Sequence, residues 1–199
     1  MMKDAEPTKP QPAESRDRWQ ESKKWLTEFI NEFLKESDRA CVVLCAAKMD
    51  SLLGQILAKF LVPNAGSQDE LLGAERALGT FSSRIHAAYR LGLIEADLAR
   101  ALHLIRKIRN DFAHDVAGTS FDHGTHKDRI RELVAPLTQF TEFHDMKKQN
   151  FGSKPDTAGC FYVAASTVLA RLEVVFHELT PLTSGQARSL IVEGWSKND

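Results

Sequence analysis

Near the middle of the chain, Leu104-Ile105-Arg106-Lys107-Ile108-Arg109-Asn110-Asp111-Phe112-Ala113-His114 crowds three cations, an amide, a carboxylate and an imidazole onto the end of an apolar helical pattern. At roughly 100° per residue, Asn110 and His114 stand one turn apart on the same face, whereas Arg109 and His114 diverge by about 140°. The chemistry such a set can do is RNA cleavage. His114 would act as general acid or base, Arg109 would stabilise phosphorane-like charge, and Asn110 would sit beside them. The divergence makes a site within one chain awkward. A symmetric dimer pairing two such helices would bring His114 of one copy to Arg109 of the other. The same residues have a structural reading: Arg109 leans toward the apolar seam and pairs with a carboxylate such as Asp50, Asn110 bonds a neighbouring loop, and His114 caps the helix C-terminus, where a cation is favoured.

Other chemistry-bearing residues say less. Asp122, His123 and His126, with His114 and Asp115 upstream, are competent metal donors, but their spacing matches no ligand pattern and no Cys joins them, so neither a metal nor a cofactor is expected. Cys41 and Cys45 read as two small core hydrophobes one turn apart, and an odd count of three cysteines in apolar surroundings argues against a disulfide framework and for a reducing, cytoplasmic setting. Between Thr80 and Asn110, six cations (Arg84, Arg90, Arg100, Arg106, Lys107 and Arg109) face only Glu95 and Asp97. With a formal net charge of -1 the chain has no global pull on nucleic acid, so this stretch is its one candidate phosphate-contacting surface, with Arg84, Arg90, Arg100, Arg106 and Lys107 as the contacts. An ordinary solvated face is the competing reading, and no helix-turn-helix is evident.

The elements that must position these residues are all helical. Apolar residues recur at three-to-four-residue spacing throughout, without strand-like alternation. Helices are expected over residues 17–35, with an apolar stripe of Trp25, Leu26, Phe29, Ile30, Phe33 and Leu34; over 39–61, capped by Ser37 or Asp38 and stopped by Pro63; over 81–91, closed by Gly92; from Ile94 to near His114; from Thr125 until Pro136 interrupts; and over 157–179. Residues 68–78 read as a short helix or turn, and residues 147–156 as a polar connector. The fold expected is an all-α single compact bundle of about five to seven helices. A Pro-, Lys- and Glu-rich tail over 1–16 reads as disordered, the helical domain spans 17–180, and a C-terminal tail covers 181–199. No uninterrupted run of 18 apolar residues occurs, so no membrane span is expected.

In their order along the chain, several segments resemble the mannitol operon repressor family of bacterial regulators: Asp38-Arg39-Ala40, Leu78-Gly79-Thr80-Phe81-Ser82-Ser83-Arg84-Ile85, Tyr89-Arg90-Leu91-Gly92-Leu93-Ile94, Leu104 through His114, and Ser120-Phe121-Asp122. The resemblance covers residues 36–135. It implies a helical, cytoplasmic, non-enzymatic regulator of transcription without an obvious DNA-binding motif, acting on DNA or through a transcription-related protein partner, and expected here as a homodimer. Arg109-Asn110-Asp111-Phe112-Ala113-His114 also resembles the Arg-x(4-6)-His signature of the HEPN superfamily, which includes dimeric ribonucleases. That resemblance implies RNA as the partner and Arg109, Asn110 and His114 as catalytic residues. A helical protein-interaction module is the third reading.

Overall fold

The computed structural model describes residues 24, 28, 31, 35–64, 66, 69–114, 120–122, 124–152 and 154–183. The expected tail over 1–16, most of the helix over 17–35, His123, Asp115 and the segment beyond residue 183 lie outside these. Of the four described positions of the expected first helix, Lys24, Glu28 and Asn31 are helical and Lys35 stands in a turn, all exposed.

Among the described residues there are six helices and no strand: α1 (Asp38–Phe60), α2 (Phe81–Arg90), α3 (Ala96–His114), α4 (Gly124–Val134), α5 (Thr141–Phe151) and α6 (Asp156–Glu178). The all-α bundle read from periodicity is therefore the fold. Three of the helices, α1, α3 and α6, pack on one another, with α2 laid across α1 and α3, α4 across α3 and α6, and α5 against α6. Their apolar faces make one core, containing Cys45, Met49, Leu53 and Ile56 of α1, Leu102, Ile105, Ile108 and Phe112 of α3, and Phe161, Tyr162, Ala165 and Leu172 of α6. At the end of the bundle that holds the α3 C-terminus, Phe121 fills the gap between helices. Its ring lies 5.1 Å from Phe112 and 4.9 Å from Phe161, within the range where tilted aromatic pairs attract.

Two polar links fix this end. The Tyr162 hydroxyl donates to Asp38 Oδ1 at 2.6 Å, tying α6 to the first turn of α1. Arg39 donates to the carbonyl of Ala113 at 3.1 Å, tying α1 to the last turn of α3.

The structure departs from the sequence reading in two places. Residues 141–151 form a helix where a polar connector was expected from residue 147, because Phe143 and Phe151 are buried and turn an otherwise polar segment toward the core. In addition, α1 and α6 each contain an 18-residue window apolar enough, by length and composition, to cross a membrane, contrary to the expectation from uninterrupted runs. Half of the α1 window and 61% of the α6 window are buried inside the bundle, so that apolarity is used in packing helices against each other.

Candidate functional site

The connection from α2 into α3 sets the geometry of the basic region. Thr80 caps α2 through a capping box with Ser83. At the other end, Leu93 N–H bonds Ala88 O at 2.9 Å and Gly92 N–H bonds Tyr89 O at 3.0 Å, the paired bonds of a Schellman cap. Gly92 takes φ +72°, a left-handed conformation that glycine adopts without steric cost. The tight reversal lays α2 and α3 side by side and antiparallel.

On α3, Arg100, His103, Lys107, Asn110 and His114 follow one another at spacings of three and four, so they fall on a single stripe within about 80°. Arg100, Lys107 and His114 are exposed, and His103 and Asn110 are half-buried. The facing stripe of α2 carries His86, Tyr89 and Arg90, all exposed. The His86 and His103 rings meet across the two helices with centroids 4.7 Å apart. Burial, then the neighbouring His86, then Arg106 and Lys107 hold the His103 imidazole below its ordinary pKa.

Not every cation read from the sequence belongs to this face. Arg84 turns inward instead. Its Nη1 donates to Asp50 Oδ1 at 2.8 Å and its Nε to Leu78 O at 2.9 Å, with the side chain only 17% exposed. It fastens α2 and the turn before it to α1 and is withdrawn from any phosphate. Arg100 is exposed but engaged, donating to Glu132 of α4 at 2.8–2.9 Å. Arg106 is half-buried, and its Nε is a buried donor without a hydrogen-bond partner. Arg90 and Lys107 stand exposed, with no ion pair to a described residue.

The helix-end motif divides in the same way. Arg109 is half-buried, on the side of α3 turned away from the stripe, and makes no ion pair with a described residue. Asp50, the partner expected for Arg109, belongs to Arg84; α2 crosses α1 at Asp50 and delivers its own arginine there first. Asn110 bonds no described residue, so the loop contact expected for it is not made among them. Asp111 pairs with Arg129 of α4 and lies 3.3 Å from His126 Nε2. His126 is buried, packs its ring on Phe112 and sets Nδ1 3.2 Å from Ser120 O. The Asp122 carboxylate accepts from the Thr157 hydroxyl at 2.6 Å. Two of the residues considered as metal donors thus clasp helices together, and no group of three or more metal-competent side chains occurs among the described residues.

Two cavities open near the stripe. One, of about 510 Å³, lies among α3, α4 and α6 beneath the Arg100–Glu132 pair, with an apolar floor that includes Leu98, Leu104, Leu133 and Val168. The other, of about 340 Å³, lies between α2 and α3 at the two histidines. Neither is lined by Arg109, Asn110 or His114. Sequence reasoning passed over His86 and His103. Their signal was the Gly92 reversal, which folds α2 back beside α3 and brings residues of the two helices together.

Comparison with known protein families, curated proteins and solved structures finds no match for this chain.

Proposed function

We propose that the chain is a non-enzymatic, helical regulator of the mannitol-operon-repressor type that holds nucleic acid against the outer face of α2 and α3. The observation that carries this reading is that Arg90 on α2 and Arg100, Lys107 and His114 on one stripe of α3 are all exposed on two adjacent helices. Phosphate recognition needs cations clustered on one face, which net charge alone does not supply. The resemblance over residues 36–135 supports a role in transcription and gives no contact residues, and the face supplies them. A shallow, two-helix surface without a protruding reading element suits backbone contact better than base-edge readout in a groove.

The test is a fluorescence-anisotropy titration of the full chain with labelled DNA and RNA at several salt concentrations, beside Arg90→Gln/Lys107→Gln. Binding that weakens steeply with salt and is lost in the double variant supports the reading. Absent or salt-insensitive binding overturns it and turns the search to a protein partner.

The ribonuclease reading keeps one observation in its favour. Asn110 and His114 share the exposed stripe one turn apart, and Arg109 has no ion-pair partner among the described residues to hold it in a structural role. Since Arg109 faces away from His114, activity would require a second copy. Metal-free RNA cleavage that rises with protein concentration and disappears in His114→Ala would establish it. No cleavage by the folded wild-type chain would discard it.

A further inference from the structure

The cavity between α2 and α3 differs in character from the charged face around it. Its floor is apolar, made by Ile85 and Ala99, and offers no side-chain donor or acceptor. Its walls are rings: Tyr89, which is 44% exposed, and the paired imidazoles of His86 and His103. Arg100, which also pairs with Glu132, is the cation among its lining residues; Arg90 is next in sequence to Tyr89 and Lys107 lies one turn beyond His103, both exposed outside the lining. At about 340 Å³ it lies at the lower end of the range for small-ligand sites.

Flat rings around an apolar floor select a flat ligand by stacking, and the cationic rim selects an anion attached to it. We propose that this cavity is a nucleotide subsite, taking one nucleobase against Tyr89, His86 and His103 with the attached phosphate on Arg90, Arg100 or Lys107. The source of the nucleotide is either an unpaired position in a single strand or a free mononucleotide, since both present the same base and phosphate. A base inside a duplex is excluded, because its faces are covered by neighbouring base pairs and the concave cavity sends nothing into a groove. With no hydrogen-bonding group on the floor, the subsite is tolerant of base identity. Burial, then the neighbouring His86, Arg106 and Lys107, disfavour the charged form of His103, so that ring serves the base more than the phosphate. The inference rests on reading the α2–α3 face as a nucleic-acid surface where the source is a strand, and stands apart from that reading where it is a free nucleotide.

The test uses the full chain with labelled oligo-U and oligo-dT about twelve nucleotides long, a strand of the same backbone without bases, and uridine monophosphate, against wild type, Tyr89→Ala, Tyr89→Phe and Arg90→Gln/Lys107→Gln. Expected is an affinity for base-bearing strands about 5- to 150-fold above the abasic strand, the span of one stacking contact. Tyr89→Ala should abolish that advantage and Tyr89→Phe should preserve it. If abasic and base-bearing strands bind equally and only the charge variant weakens them, the subsite is overturned while the phosphate-contacting face stands. If no strand binds but uridine monophosphate does, in a manner lost with Tyr89→Ala, the subsite stands with a free nucleotide as its ligand and the nucleic-acid reading fails. If neither binds, both are overturned.

Discussion

Arg84 and Arg109 show how a residue's identity fixes its chemistry but not its partner. Both are arginines on apolar helices, and the helical wheel tilts Arg109 toward the buried seam. Yet Asp50 is reached from α2, so the structural arginine is Arg84. Arg84→Ala would leave the Asp50 carboxylate and the Leu78 carbonyl without their donor, and a loss of about 2 kcal/mol is expected. Arg109→Ala, which orphans no described partner, should cost less than about 1 kcal/mol. Urea denaturation midpoints of the two variants check both values, and a larger loss for Arg109→Ala would reverse the assignment. His103 adds a pH dependence of definite sign. Its folded-state pKa is depressed, so the folded chain binds fewer protons than the unfolded chain just below the ordinary histidine value. Its contribution to stability is present above that value and is lost as pH falls toward the depressed one. His103→Asn should accordingly flatten the fall in the denaturation midpoint below about pH 6.5, and the His103 ring proton followed by NMR should titrate below an ordinary histidine.

At the scale of elements, the reversal at Gly92 decides whether α2 and α3 present one face. Gly92→Ala puts a Cβ into a left-handed residue. A cost of about 1–2 kcal/mol is expected, because open space around the position leaves backbone strain as the only penalty. If the measured cost is near zero, the turn is not held as described. Wherever residues cap, punctuate or repeat helically, the elements were legible in the sequence. The Ser37 cap of α1, the Gly92 closure of α2, the extent of α3 and the buried stripe of α6 all follow from local rules. α5 did not, because Glu142, Asp145, Lys147 and Lys148 hide two buried phenylalanines, and only packing against α6 distinguishes Phe143 and Phe151 from loop aromatics. The candidate site was half legible for the same reason. The basic residues of α3 could be placed on a stripe by counting, but which of them meet His86, Glu132 or nothing depends on neighbouring helices that counting does not locate.

At the scale of the whole molecule, a formal net charge of -1 supplies no global pull on a polyanion, so association through the α2–α3 face would be local and its salt dependence would count the contacts. With Arg90 and Lys107 each on a phosphate, the slope of log affinity against log salt on a single strand should be about -1.4, each contact adding about -0.7, and about -2 once Arg100 joins them. Arg100, however, is shared. In the free chain it is held by Glu132, and a phosphate must compete with that carboxylate for the same guanidinium. Removing the competitor's charge should then strengthen binding, the opposite of what loss of an ordinary surface ion pair would bring. Glu132→Gln is expected to raise affinity several-fold at low salt and to steepen the slope by up to about 0.7, whereas Lys107→Gln lowers affinity and flattens the slope by the same amount. Anisotropy titrations across a salt series measure both. An unchanged slope in Glu132→Gln would place Arg100 outside the contact and leave Arg90 and Lys107 as the two that count.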